Sequence, residues 1–407
     1  QRRSGSPDSP RLGWPAPERP EEAIDEAEYD LAVLAPLRRS RGEPEAGAAT
    51  YLLSANPHLA RALRARARRW SDRWTSNDGL LVGEQDDLVR AALERHQMDR
   101  RAFSPTALQH FASCPYRFFL YAIQRLEPRE ESVAIEVIDP LTRGALFHEA
   151  QFEILSRLRS RRLLPVSRES FGAAREIAEA ALGEVAARYE EDLAPAIPRV
   201  WQDGIQRIRA DLVEWLRRAA EAEDGWIPDR FELSFGIVDR ERRTADPSSV
   251  PDPVPVEGGL MLRGSIDLVE RGSNDELRVT DHKTGKVRVP EGLLVHGGQI
   301  LQPVLYGLAA ERLLGRSVVA GRLYFCTADG GFQERVVALD RTARAAAEEI
   351  AGIIGAALEA GFLPAAPMEG ACRWCDYRPV CGPWEEFRTA RKPEGGLAGL
   401  KRLRGME

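Results

Sequence analysis

Residues 262–286, LRGSIDLVERGSNDELRVTDHKTGK, decide how this chain is read. Two runs rich in aliphatic and β-branched residues, GSIDLVE and ELRVTDHK, flank the turn-forming RGSNDE, the pattern of consecutive strands. Alternate side chains of a strand share a face, so Asp281 and Lys283 point one way and His282 the other. Antiparallel pairing brings Asp267 beside Asp281. Two carboxylates aimed at one point repel, and a divalent cation is the usual way to keep both ionised; hard oxygen ligands suit magnesium or manganese. Such a cation polarises a phosphoryl oxygen and lowers the pKa of a bound water. The Lys283 ammonium beside it can orient that water or hold a scissile phosphate.

D-x-K spacing is common by chance, and a solvated Lys283 beside a strand-capping Asp281 is its bland reading. Asp267 upstream, the turn at Thr284 and Gly285, and the use of lysine strengthen the chemical one. Of 57 basic residues only four are lysine: Lys283, Lys286, Lys392 and Lys401. Two of them fall in DHKTGK, where a compact ammonium replaces the delocalised guanidinium used almost everywhere else.

Outward from this stretch, RFELSFGIV, GGLMLRGSIDLVE, VVAGRLYF and FQERVVAL read as strands, with the helix GGQILQPVLYGLAAERLL between them and TARAAAEEIAGIIGAALEAG after them. Upstream, helical patterns run from about residue 104 to 222. They open at FSPTALQHFASCPYRFFL, where Ser104 caps, Pro105 takes the first position and Phe103 can staple onto Leu108. Helices followed by a mixed sheet with packed helices describe an α/β (α+β) domain over residues 101–390. Before it, residues 1–100 hold a tail rich in proline, arginine and glutamate. Its first part, residues 1 to about 50 with the one apolar stretch DLAVLAPL, is expected to be largely disordered alone or docked on something else, and the partly helical region as a whole to be the tail of a truncated helicase-like part. A helix capped by Asn56 and Pro57 follows, with Leu59, Leu63, Trp70 and Trp74 on one face. Residues 391–407 form a C-terminal tail. A first residue of Gln1 rather than methionine is expected of a piece of a longer protein.

The 407 residues carry a net charge of -6, so binding to nucleic acid has to come from a local groove and not from the overall field. No apolar run spans a bilayer and no signal pattern opens the chain. A soluble, cytoplasmic protein without a membrane partner is expected. Five cysteines in this length are not a secreted disulfide scaffold. ACRWCDYRPVCG places Cys372, Cys375 and Cys381 in a C-x2-C-x5-C run, a strong metal signal that lacks a fourth thiolate. Cys114, in SCPYRFF, is the best candidate for it. Zinc fits this spacing as well as an iron–sulfur cluster, and Cys114 can also be read as a buried helix residue. Cys326 reads as a small buried hydrophobe.

Two further groups have both bland and functional readings. His148, in RGALFHEAQ, precedes Phe152 and Leu155 at helical spacing, and only the carboxylates elsewhere favour a third-ligand role over a core one. Gln302 and Tyr306, in LQPVLY, lie one helical turn apart and either contact a DNA strand or pack.

CPYRFF, GALFHE, RGSIDLVE, TDHKTGK, QPVLY and CRWCDYRPVC together resemble, in order, the PD-(D/E)XK nuclease superfamily. The nearest branch is the RecB-like nucleases with an iron–sulfur staple, as in AddB-type subunits of bacterial helicase–nucleases. The resemblance covers about residues 101–390. It implies a restriction-endonuclease-like core with a large helical insertion and a 4Fe-4S staple held by Cys114, Cys372, Cys375 and Cys381. It implies His148, Asp267, Asp281 and the His282 backbone carbonyl as ligands of magnesium or manganese, Lys283 as the catalytic lysine, and Gln302 and Tyr306 as DNA contacts. At His282 the family more often has tyrosine or phenylalanine. No Walker-type phosphate loop is present, so no helicase motor is expected in this chain.

The function so implied is a metal-dependent exonuclease. It would act on single-stranded DNA ends, the 5′-ended strand being favoured, in double-strand-break processing and recombinational repair beside a helicase partner subunit. A catalytically inactive, cluster-stapled DNA-binding scaffold is the alternative. An iron–sulfur glycosylase uses a similar cysteine run, but the position where its extra cysteine falls is Ala365 here.

Overall fold

The computed structural model describes residues 16–39, 43–82, 87–127, 137–237, 244–381 and 384–407. The start of the expected N-terminal tail, residues 1–15, lies outside them. The chain divides into two compact units, each assembled from three separate stretches.

The unit formed by Glu94–Ala112, Arg129–Ala356 and Leu400–Glu407 is built on a sheet. Its strands are β1 (Ile227–Phe235), β2 (Val254–Val256), β3 (Leu260–Leu262), β4 (Gly264–Arg271), β5 (Leu277–Lys283), β6 (Val318–Phe325) and β7 (Glu334–Ala338). Five form one sheet in the order β1-β4-β5-β6-β7, while β2 pairs with β3. β4 is antiparallel to both β1 and β5, β6 is parallel to β5, and β7 is antiparallel to β6. A parallel pair cannot be closed by a hairpin, and helix Gln302–Leu314 makes the crossover between β5 and β6. The result is the mixed sheet with flanking helices expected from the residues.

β5 is buried at every position but its last. Both its faces are covered, which is why LRVTDHK shows little alternation of polarity. On one side, helices Pro140–Ser160, Phe171–Leu193 and Pro198–Glu221 contribute Phe147, Ile154, Leu182 and Ile208 to a core shared with Phe231 of β1 and Leu268 of β4. The helix starts are set locally. Asp139 accepts the Leu141 and Thr142 N–H groups at 2.9 and 3.1 Å ahead of Pro140, and Ser104 Oγ accepts the Ala107 N–H at 3.2 Å.

Two elements differ from expectation. GGLMLRGSIDLVE is two strands, β3 and β4, parted at Arg263, whose N–H is taken by Phe103 O at 3.0 Å. The helix read from residue 297 begins at Gln302. Gly297 and Gly298 have φ of 63° and 77°, and a Cβ on Gly298 would lie 2.9 Å from Ala112 Cβ, so the chain there is a tight turn open only to glycine.

β4, β5 and β6 are cross-tied by a buried charged group. Glu270 accepts from Arg278 Nε and Nη2 at 2.9 Å each, from Thr280 Oγ1 at 2.7 Å and from Arg322 Nη2 at 2.8 Å. Burial alone would raise the Glu270 carboxyl, but Arg322 and Arg278 outweigh it and hold it below its ordinary value.

The other unit comprises Gln1–Leu93, Ser113–Pro128 and Ala357–Gly399. DLAVLAPL, in the stretch expected to be largely disordered alone or docked, lies within helix Glu26–Arg39 with Ala32 and Leu34 buried. Asn56 Oδ1 accepts the Leu59 N–H at 3.0 Å and caps helix Pro57–Arg69. The apolar face of that helix does not extend to Trp74. The helix ends at Arg69, and Trp74 packs edge-on against Phe362 while its Nε1 donates to Pro393 O at 2.9 Å. Lys392 is buried, 2.8 Å from Asp78 Oδ2, and also donates to Arg73 O. Scarcity of lysine thus marks a structural ion pair as well as DHKTGK. Among the described residues no helix is long and apolar enough to cross a membrane.

Removing Glu270 leaves two buried guanidinium groups without their shared partner. Glu270→Ala is expected to lower the free energy of guanidinium-induced unfolding by about 3–5 kcal/mol at pH 7. The folded-state pKa of Glu270 is depressed, so its contribution is present above the unfolded value and is lost as pH falls through the folded one. The difference between wild type and variant therefore narrows below about pH 4. A difference that stays constant into acid would contradict this account.

Candidate functional site

β4 lies between β1 and β5, and the register sets Leu268 opposite Phe231 on one side and Thr280 on the other. Continuing that register by one residue, beyond the last printed β4–β5 pair, directs Asp267 toward Glu232 and Asp281. Directly opposed residues share a face, so three adjacent strands present a row of three carboxylates. Ser265 Oγ donates to Glu232 Oε2 at 2.9 Å, and the His282 backbone N–H donates to Asp267 Oδ2 at 2.6 Å.

His148 reaches this row from helix Pro140–Ser160. Its Nδ1 lies 3.5 Å from Asp267 Oδ2 and 3.9 Å from Glu232 Oε1. One ligand atom from each of His148, Glu232 and Asp267 lies within 4.8 Å of the other two. Burial lowers the His148 pKa, against the pull of Glu232 and Asp281, which leaves a neutral imidazole with a free lone pair at neutral pH. A neutral nitrogen and two carboxylates, held together in a mostly buried place, are a donor set for a divalent cation.

Asp281 belongs to the same row but is engaged differently. Its Oδ2 lies 2.6 Å from Lys283 Nζ. The two form a close ion pair on one face of β5. Burial alone would lower the Lys283 pKa, but Asp281 and then Asp267 raise it above the ordinary value, so the ammonium stays charged. The His282 side chain takes no part in the row. Its ring packs between Trp215 and Tyr324, 6.0 Å from each, while its backbone N–H serves Asp267.

Tyr306 lies against the same strands. Burial, reinforced by Asp281, Asp267 and Glu232, pushes its phenol well above the ordinary value and keeps it a proton donor. It fits because β4 has glycine at 264: a Cβ there would stand 2.8 Å from the tyrosine ring. Gln302 is also buried, and its Oε1 accepts from Gln109 Nε2 at 2.9 Å.

Glu232 was not singled out in the sequence. The signal was present, since Phe231 and Leu233 alternate with Glu232 and Ser234 in RFELSF and turn the polar pair toward the Asp267 face. One glutamate in one strand carries no spacing signature, and its role emerges only from pairing with β4. Its φ of 51° lies in the left-handed region within a strand, a strained conformation costing about 1–3 kcal/mol and often found at functional sites.

In the other unit, Cys114, Cys372, Cys375 and Cys381 line one small cavity with Arg117 and Tyr377. Cys114 precedes the short helix Pro115–Phe118, Cys372 lies in the turn Ala371–Trp374, and Cys381 closes the turn Arg378–Cys381. Burial, then proximity to Cys114, pushes both the Cys372 and Cys381 thiols up to about 12. Among the described residues, no three of these sulfurs lie mutually within 4.8 Å. Ala365, where a glycosylase-type run would carry its extra cysteine, is a buried alanine in the same cluster. Cys326 is fully buried, as expected, with its thiol 3.9 Å from Gln151 Nε2.

A mixed sheet that sets carboxylates from neighbouring strands beside a half-buried lysine is the core of a family of nucleases. This chain belongs to the PD-(D/E)XK nuclease superfamily, whose model matches residues 102–382. It is 27% identical over 313 residues to an ATP-dependent helicase/deoxyribonuclease subunit of Moorella thermoacetica, an alignment covering 68% of this chain. The chain spans only 25% of the length of that curated relative.

The metal centre so outlined depends on Glu232 as much as on Asp267. Glu232→Gln keeps the shape of the side chain and removes its charge, and is expected to weaken Mn2+ binding at least about tenfold in isothermal titration calorimetry. Unchanged affinity would remove Glu232 from the ligand set.

Proposed function

We propose that this chain is the nuclease part of a helicase–nuclease, hydrolysing phosphodiester bonds of a single DNA strand during the processing of double-strand breaks. The observation that carries this reading is the approach of His148, Glu232 and Asp267 to within 4.8 Å of one another, next to the Asp281–Lys283 ion pair. Superfamily membership and the likeness to a helicase/deoxyribonuclease subunit support it. A pure scaffold has no use for a buried row of carboxylates that repel one another.

His148, Glu232 and Asp267 would hold Mg2+ or Mn2+, with Asp281 and the His282 backbone carbonyl as further donors. The cation supplies Lewis acidity toward a phosphoryl oxygen and a more acidic water. Lys283, kept charged by Asp281, stabilises negative charge that builds on the phosphoryl oxygens. Tyr306, kept protonated, is a hydrogen-bond donor beside the same row. Water adds to phosphorus as the bond to the 3′ oxygen breaks, and that oxygen takes up a proton. The products are a 5′ phosphate and a 3′ hydroxyl. Threading of an unpaired strand would confer weak sequence preference; Gln302 and Tyr306 are proposed to assist it, although both are largely buried. Exonucleolytic action, preference for the 5′-ended strand, a helicase partner and a cytoplasmic setting belong to the same proposal.

The four cysteines would hold a 4Fe-4S cluster. Support comes from their convergence on one cavity. Cys114 is separated from the other three by more than 250 residues, and a crosslink over so long a loop restricts the unfolded chain by roughly 5 kcal/mol in the chain-entropy picture.

Magnesium-dependent degradation of single-stranded DNA is expected from wild type, and Lys283→Ala should lower its rate about 10²–10³-fold with little change in Mn2+ affinity. Equal cleavage by the two proteins would remove Lys283 from the mechanism. Anaerobically purified protein should contain iron and sulfide in equal amounts, with iron lost from Cys114→Ser. Stoichiometric zinc in place of iron would refute the cluster assignment.

A further inference from the structure

Along β4, Ser265 and Asp267 are the half-buried positions and alternate with buried Gly264, Ile266 and Leu268. Ser265 therefore stands on the face of the sheet that carries the acids. The register sets it opposite Ser234 of β1, which places Glu232 on the diagonal, within reach of a long side chain. The Ser265 hydroxyl donates to Glu232 Oε2 at 2.9 Å, while Oε1 lies 3.9 Å from His148 Nδ1. The two oxygens of one carboxylate thus have different neighbours.

That difference bears on which cation the row can hold. A hydrogen bond to an ionised carboxylate is stronger than one between neutral groups, and it fixes the orientation of an otherwise free side chain. Calcium takes roughly six to eight oxygens and readily uses both oxygens of one carboxylate. Magnesium demands near-octahedral geometry at about 2.0–2.1 Å. Selectivity between the two depends on the number of ligand oxygens and on their freedom to move.

We propose that Ser265 is a positioning residue that sets metal selectivity. By holding Oε2, its hydroxyl limits Glu232 to donation through one oxygen and favours Mg2+ over Ca2+. The inference rests on reading His148, Glu232 and Asp267 as a divalent-cation centre. Without the hydroxyl, Glu232 is free to turn and offer both oxygens to the larger ion.

The test loads Mn2+ onto the metal-free protein and displaces it with Mg2+ or Ca2+, the released Mn2+ being read by EPR. Ser265→Ala should lower the preference for Mg2+ over Ca2+ about tenfold, the scale expected for a group that orients a metal ligand. Ser265→Thr keeps a hydroxyl and should keep the wild-type preference. Ser265→Val has nearly the shape of threonine without the hydroxyl and should behave as Ser265→Ala. The threonine and valine variants decide the matter if Ser265→Ala fails to fold, and unfolding midpoints check each protein. In a Glu232→Gln background, Ser265→Ala should change the preference no further, because its effect runs through that carboxylate. A preference unchanged in folded Ser265→Ala or Ser265→Val, even with both affinities weakened, overturns the proposal. Its loss in Ser265→Thr as well as Ser265→Val does the same, as does an undiminished effect in the Glu232→Gln background. Wild type that binds no Mn2+ would instead sink the metal centre itself.

Discussion

Carboxylates that share a face on neighbouring strands repel, and the arrangement of this protein's sheet-bearing unit follows from holding them together regardless. Glu232, Asp267 and Asp281 are not brought into line by local sequence. They are aligned by the pairing of β1, β4 and β5, in which a slip of one residue would turn each acid to the opposite face. Each negative charge has a local answer. Ser265 donates to Glu232, the His282 backbone N–H donates to Asp267, and Lys283 pairs with Asp281. What these contacts leave over is a nitrogen and two carboxylates facing one another, an arrangement that a divalent cation would complete.

Register of this kind needs a rigid backing. Glu270 supplies it by binding Arg278 of its neighbour β5 and Arg322 of β6, so that one carboxylate spans three strands behind the acidic row. Buried charges add little net stability, because desolvation offsets most of their attraction. Their geometric demands are nevertheless strict, since an alternative register would strand a guanidinium in the core.

In the cysteine-bearing unit, chain stretches far apart in sequence meet at four thiols, and other long-range contacts tie the same stretches together. Gly79, at φ 92°, brings its carbonyl to the Leu363 N–H at 2.8 Å, and the buried Asp78–Lys392 pair lies in the same unit. Burial raises the thiol pKa values of Cys372 and Cys381, which favours neutral thiols until a cationic centre offsets the cost of ionisation.

Much of this was legible in the residues. The turn between β4 and β5, the alternation that turns Asp281 and Lys283 to one face and the capped starts at Ser104 and Asn56 are local properties, set by backbone preferences and hydrogen bonds over a few residues. The C-x2-C-x5-C run is equally local. Other features lay beyond any such reading. Glu232 acquires its place only when β1 pairs with β4, Trp74 leaves the helix face to pack on Phe362, and Lys392 becomes an ion pair across more than 300 residues of chain. DLAVLAPL folds as a helix that buries Ala32 and Leu34. The sequence by itself determined which chemistry was on offer, because side-chain type and short-range periodicity are written along the chain. Only tertiary structure decided which acids meet, because strand pairing and burial depend on contacts between residues far apart in sequence.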